Sequence, residues 1–171
     1  MGQTMITSAF LSLLVLSAIT VNRMLIDSKE SEYKTTAYSE AIDIAHDLLM
    51  EATSKKFDEN ATTTGTQKTS AFTGATSLGT EGTPEQVSPS PDTSPFQSMT
   101  KHDDIDDYKG YTRTVDGSTI SDFTVSATVY YVNVTSPHAA TTSRTYMKRI
   151  VVTVTHPLYL DSFTLSRYVA Y

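Results

Sequence analysis

Residues 1–56 contain no proline and, as a glycine, only Gly2, so nothing in the covalent chemistry of the backbone interrupts a helix over this span. A helix of that length would run roughly 80 Å, well beyond the diameter of a compact domain of ordinary size. Its first half must therefore be buried in something other than its own domain. The stretch "MGQTMITSAFLSLLVLSAITVN", residues 1–22, carries no charged side chain, and Arg23 is the first charge. At helical rise these residues span about 33 Å, the thickness of a bilayer's hydrocarbon core. A secretory signal would place Lys or Arg ahead of such a run and a small-x-small cleavage site soon behind it. Neither flank is present here.

Beyond Arg23 the pattern changes. Apolar and small residues recur at Ala37/Tyr38, Ala41/Ile42, Ala45, Leu48/Leu49 and Ala52, a three-to-four spacing that makes one face of an amphipathic helix. Glu30 with Lys34 and Glu51 with Lys55 have the i,i+4 order that favours ion pairs on the wet side. The helix thus divides into an apolar assembly or transmembrane part, residues 1–28, and an amphipathic half, residues 29–56.

Residues 57–100 hold four of the six prolines and four of the seven glycines, in a Ser/Thr-rich background, which predicts a long surface loop with little regular structure. Within it "ATTTGT" and "TSAFTG" could form short strands, with Phe72 and Phe96 pinned against the domain. Asn60-Ala-Thr and Asn133-Val-Thr match the N-glycosylation sequon, and the Thr-rich run could accept O-linked sugars.

Residues 101–171 read as β structure. In "SDFTVSATVYYVNV" the set Phe123, Val125, Ala127, Val129 and Tyr131 alternates with polar positions, and "RTYMKRIVVTVTH" repeats the pattern through Lys148, Ile150, Val152 and Val154. "DSFTLSRYVAY" ends the chain with Phe163, Leu165, Val169 and Tyr171 on one side. With "YKGYTRTV" ahead of the turn signal "DGS", four strands follow one another, most simply as an antiparallel meander. The apolar face of such a sheet needs a cover, and residues 37–52 offer one. The expected fold is α+β: a long protruding N-terminal helix packed by its second half on a C-terminal antiparallel sheet of about four strands.

A net charge of −6 and the lack of a basic run argue against a nucleic-acid partner, because nothing would displace counterions from phosphates. The absence of cysteine excludes a disulfide scaffold, thiolate zinc and iron–sulfur ligation. His46, His102, His138 and His156 are scattered and form no HExxH pair, and no GxSxG, Walker loop or GxGxxG occurs, so no enzyme is expected. The metal-like constellation is the acidic run Asp103, Asp104, Asp106 and Asp107, whose carboxylates could hold calcium. The alternative is that "DDIDDY" opens the sheet domain with a turn or short helix, Ile105 and Tyr108 pointing inward. No cofactor is expected beyond that calcium.

An uninterrupted helix, apolar first and amphipathic second, then a variable loop and a C-terminal antiparallel sheet resembles the type IV pilin and type II secretion pseudopilin superfamily. The resemblance lies in "QTMITSAFLSLLVLSAITVNRMLIDSKESEY" and in "DDIDDYKGYTRTV", "FTVSATVYYVNV", "YMKRIVVTVTHP" and "TLSRYVAY". It implies a structural subunit that waits in the membrane, is extracted by a pilus assembly machinery and polymerises with copies of itself into an extracellular filament at the cell surface. The helix residues that would meet neighbouring subunits are Met1, Thr4, Met5, Thr7, Ser8, Phe10, Ser12, Leu13 and Leu16. Thr4, Ser8 and Ser12 form a small-residue stripe that lets helix backbones approach closely in an apolar medium. The family usually carries a glutamate at the fifth mature position. If Met1 is the mature terminus that position is Met5, and if cleavage follows Gly2 it is Thr7. The missing basic flank is read as a targeting leader already removed or reduced to a stub. Two other readings remain open: a pseudopilin of a short periplasmic pseudopilus, and a membrane-anchored binding or adhesin module.

Overall fold

The computed structural model describes residues 2–61 and 67–171, and the side chains of Thr4 and Met5 lie outside the described residues. Helix α1 runs unbroken over Gly2–Thr53, as the absence of interior proline and glycine requires. The chain divides into two compact units, Met1–Thr36 and Ala37–Tyr171, and α1 contributes to both.

In the first unit the apolar side chains of α1 are exposed in angular succession. Phe10, Leu11, Leu13, Leu14, Val15 and Leu16 are each at least half exposed. At 100° per residue they occupy every side of the helix. Hydroxyls on this stretch are satisfied locally: Thr7 Oγ1 donates to the Gln3 carbonyl at 3.1 Å, Ser12 Oγ to Ser8 at 2.9 Å and Thr20 Oγ1 to Leu16 at 2.9 Å. Glu30 and Lys34 form the expected pair at 2.7 Å.

In the second unit α1 presents Ala37, Ala41, Ala45 and Ala52, all fully buried, to a sheet. These methyl-sized side chains let the helix axis come close, while Ile44, Leu48 and Leu49 fill the space between them. Tyr38 and Ile42 were expected on the same face but remain 50% and 41% exposed. Alanine at 37 and 41 takes the contact, so each larger neighbour sits at the seam, where Tyr38 packs edge-on against Phe163 at 5.2 Å.

Five strands make the sheet: β1 Thr112–Val115, β2 Phe123–Asn133, β3 Ser136–Ala140, β4 Met147–His156 and β5 Leu160–Ala170. The four predicted strands pair antiparallel in the order β1-β2-β4-β5, and β3 pairs with the far end of β2. The sheet of about four strands expected from the sequence is present, and β3 joins it as a fifth whose sequence "SPHAA" has neither alternation nor β-branched residues. Val125 faces Val154, Ala127 faces Val152 and Val129 faces Ile150 across β2 and β4, so the inward residues stack in rows under α1. Full burial of each Val or Ile in those rows contributes about 1.5–3 kcal/mol. Tyr131 and Lys148 share the next row, and both are fully buried.

Two helical turns, at Thr69–Ala71 and Ser98–Lys101, are the helical structure that 67–100 contains. "TSAFTG" is therefore a turn and not a strand, and most of "ATTTGT" lies outside the described residues. Phe72 is buried with Phe57, Leu78 and Tyr131 in a second small core, and Phe96 lies 4.4 Å beneath the Arg113 guanidinium. Both are anchored, as their isolation in a polar loop suggested.

Candidate functional site

The first candidate surface is the N-terminal half of α1. This segment is long and apolar enough to cross a membrane by length and composition, and its most apolar window has a mean hydropathy of 1.9 with no residue buried. Phe10, Leu13 and Leu16 are 64–69% exposed, and Thr7, Ser8 and Ser12 are exposed as well. Met1 and the side chains of Thr4 and Met5 lie outside the described residues, so the environment of the fifth position stands there too. A helix apolar on all sides has no wet face of its own.

The second candidate lies where the chain leaves α1 and meets "DDIDDY". Its anchor is Lys148, placed in the inward phase of β4 between apolar neighbours. A buried ammonium there is tolerable only with partners. Its Nζ donates to the Phe57 carbonyl at 2.6 Å, to Asp58 Oδ2 at 3.0 Å and to Asp106 Oδ1 at 2.5 Å. Asp58 also accepts the Tyr131 hydroxyl at 3.0 Å and the Thr73 amide at 3.0 Å. One lysine therefore ties the exit of α1, the long loop and the acidic run to the sheet. The Lys56 amide reaches the Asp103 carbonyl and the Ile105 amide reaches the Lys56 carbonyl, which adds a short parallel bridge at the same junction.

A parallel arrangement holds the other side of the loop. Glu51 accepts from Arg113 Nη1 at 2.8 Å, the Tyr108 hydroxyl at 2.8 Å and the Ser98 hydroxyl at 2.7 Å. The expected pair with Lys55 gives way to this buried one, and Lys55 donates instead to the Met99 and His102 carbonyls. Asp92, fully buried, accepts from the Gln97 amide at 2.9 Å, the Ser98 amide at 3.2 Å and the Tyr111 hydroxyl at 2.9 Å. His102 packs between Tyr108 and Tyr111, at 4.7 and 5.1 Å, and desolvation lowers its pKa to about 4. Further along α1, Glu40 accepts from Ser118 Oγ and the Thr119 amide at 2.7 Å and closes the β1–β2 turn. Burial opposes its charge, but these bonds outweigh burial and leave the carboxyl below its usual range.

Of the predicted acidic run, Ile105 and Tyr108 do point inward, and Asp106–Tyr108 forms a single 3₁₀ turn. Asp107 Oδ2 accepts the Asp103 and Asp104 amides, at 2.9 and 3.3 Å, and Asp104 Oδ1 accepts the Asp106 amide at 2.8 Å. The local turn therefore uses one oxygen of each. The others, Asp104 Oδ2 and Asp107 Oδ1 together with Asp103 Oδ1 and Asp106 Oδ2, are buried with no hydrogen-bond partner. Desolvation, then the neighbouring Asp106 and Asp107, pushes Asp104 up to about 9. Desolvation pushes Asp107 up to about 6.

Three glutamates that the sequence did not single out stand beside this run. Glu59, Glu81 and Glu85 bring carboxylate oxygens within 4.8 Å of one another. Desolvation, followed by repulsion from Asp106, Asp107 and Glu85, raises Glu81 to about 7, and Asp103 raises Glu59. Glu59 follows Asp58 directly, whereas Glu81 and Glu85 come from the loop. Their spacing in sequence offered no metal-binding motif, and the loop's turn at Gly82, where the Glu85 and Gln86 amides bond its carbonyl, is what gathers them. Both sequon asparagines are exposed, Asn60 near this junction and Asn133 at the end of β2. No protein-family model, curated protein or solved structure matches this chain.

Proposed function

We propose that this chain is a structural subunit of an extracellular filament of the type IV pilus kind, held in the membrane by α1 before assembly and polymerising through it with copies of itself. The observation that carries the reading is the charge-free segment of α1, with large apolar side chains exposed on every side from Ile6 to Val21. Left in water, such a helix would forfeit tens of kcal/mol at about 25 cal/mol per Å² of apolar surface. Lipid removes that cost in the waiting subunit. A core of like helices removes it in the assembled one, where packing of small residues decides the geometry. The sheet unit then tiles the outside, and the uninterrupted helix stays helical across residues 14–26.

Because the chain has no cysteine, single substitutions report contacts without background. Phe10→Cys and Leu16→Cys, produced in the native host and oxidised in the sheared surface fraction, are expected to give ladders of cross-linked multimers from filaments visible by immunogold electron microscopy. Monomer confined to the membrane would overturn the reading in favour of a bitopic binding module. Cross-linked multimers without surface fibres would assign the chain to a short periplasmic pseudopilus.

A further inference from the structure

We infer that the free edge of β5 pairs with β5 of a second copy of this chain, antiparallel and centred on Thr164, so that two sheets become one across a twofold axis. The sheet ends in β1 on one side and in β5 on the other. The two edges differ. β1 is four residues long and the loop covers it, since the Asp92 amide donates to the Thr112 carbonyl and the Thr114 amide to the Asp92 carbonyl. β5 is 11 residues long and, among the described residues, its backbone pairs only with β4. An edge of that length leaves a row of amides and carbonyls for another strand to take up, and "LDSFTLSRYVA" contains neither the proline nor the lysine that commonly blocks such pairing.

Charge identifies the strand that fits this edge. β5 carries two charged side chains, Asp161 and Arg167, both exposed, on the same face of the strand and three residues to either side of Thr164. Antiparallel pairing about Thr164 therefore sets Asp161 of each copy opposite Arg167 of the other, with Ser162 opposite Ser166 and Phe163 opposite Leu165. Moving the centre by one residue loses both ion pairs, because Asp161 then meets Leu165 or Val169. Within the chain neither charge is answered by an opposite one: Arg167 reaches Met50 Sδ and Thr53 Oγ1, both at 3.3 Å, and Asp161 forms no ion pair among the described residues. The strand is thus its own electrostatic complement. A twofold contact closes on itself and cannot propagate a fibre. In a filament of the kind proposed above it joins a subunit of one filament to a subunit of its neighbour, while α1 supplies the contacts along each.

The pairing itself does not rest on the filament reading, and single cysteines in the otherwise cysteine-free full chain in detergent test its register. Mild oxidation is expected to give a disulfide-linked dimer from Thr164→Cys roughly tenfold faster than from Ser162→Cys or Ser166→Cys. Each of those positions falls four residues, about 13 Å, from its own copy, too far to bridge. Mixed together, the Ser162→Cys and Ser166→Cys chains are expected to cross-link to one another. Asp161→Arg added to Thr164→Cys sets like charges opposite and should slow the dimer roughly tenfold, and Asp161→Arg with Arg167→Asp should bring the rate back to within about threefold. Absence of the Thr164→Cys dimer, equal rates at the three positions, a rate that Asp161→Arg leaves unchanged or no recovery in the charge-swapped variant would overturn the pairing. The comparison of the three cysteine positions needs no charged variant and so decides the matter if Asp161→Arg fails to fold. Phe10→Cys and Leu16→Cys report the α1 contacts separately, so either contact can fail without the other.

Discussion

Residues 6–26 and 37–52 of α1 are apolar in similar proportion, 14 of 21 and 10 of 16, and differ in where those residues point. Over residues 37–52 the alanines at 37, 41, 45 and 52 with Ile44, Leu48 and Leu49 fall on one face and are buried under the sheet, while Tyr38, Ile42 and Met50 sit at its edge and His46, Asp43 and Asp47 are exposed. Over residues 6–26 the apolar side chains point everywhere and none is buried. One half carries within the chain the surface it packs against. The other has no covering surface among the described residues. The lesson is that hydrophobicity alone does not mark a core: the arrangement of apolar residues around the helix tells whether a chain covers them itself.

The sharpest way to break this comparison is to attack the junction that only the second half shares. Lys148→Met leaves Asp58 and Asp106 buried and uncompensated, so a loss of about 3–5 kcal/mol is expected in chemical denaturation of the detergent-solubilised chain. Lys148→Met combined with Asp58→Asn and Asp106→Asn should recover much of it. If the single variant were as stable as the parent, the lysine would not be the pin described here.

Next comes a matched pair along α1. Leu48→Ala opens a cavity under the sheet and is expected to cost about 2–5 kcal/mol, whereas Leu14→Ala should leave the unfolding of the sheet unit within about 0.5 kcal/mol. Equal effects in the same assay would erase the distinction between the halves.

A third test uses acid. His102 binds its proton only near pH 4 when folded but near 6.5 when unfolded, so the unfolded chain holds more protons between those values. The stability its neutral burial confers is whole above about pH 6.5, declines as the pH falls toward 4 and stays flat below. The full swing is roughly 3 kcal/mol, and with chelator present throughout, His102→Phe should remove that part of the slope.

A smaller effect is expected at Gly117. A Cβ there would collide with Glu40 Oε2 and stand 2.8 Å from the Ile120 carbonyl oxygen. Gly117→Ala should therefore cost about 1–3 kcal/mol by overpacking the Glu40 turn, read as a shifted denaturation midpoint. Least of all, Glu30→Gln on the exposed part of α1 should leave the midpoint where it was, since that pair is open to solvent.

Much of this architecture was legible from residue order. Two of the strands, β2 and β4, follow from alternation, and the burial of Phe123, Val125, Ala127 and Val129 agrees with it; β5 was marked by apolar residues on one side and β1 by the turn signal that follows it. Lys148 was also visible as an inward position, which by itself demands a buried anion. Which anion answers it was not visible, because Asp58 lies 90 residues away and looks in sequence like an ordinary surface acid, while Asp106, 42 residues away, reads there as one member of a calcium-like acidic run. Glu51 misled for the same reason. Its spacing from Lys55 satisfies the local helical rule, but Arg113, 62 residues on, offers a partner out of water, where the interaction is stronger. Glu81 and Glu85 were illegible altogether, since a Pro/Gly/Ser/Thr-rich loop carries no periodicity from which to infer where its tip returns.

What the sequence by itself determined, then, is everything that depends on near neighbours: an unbroken helix without proline, its change from all-round to one-sided hydrophobicity, and the alternating strands. Those follow from backbone sterics and from the periods of 3.6 and 2 that place side chains on faces. Only the tertiary structure decided which buried charges meet, that Tyr38 and Ile42 yield the contact to alanines, and that glutamates from the loop gather beside Asp107. Such pairings depend on chain closure over tens of residues. No local rule encodes the distance between two side chains that the fold alone brings together.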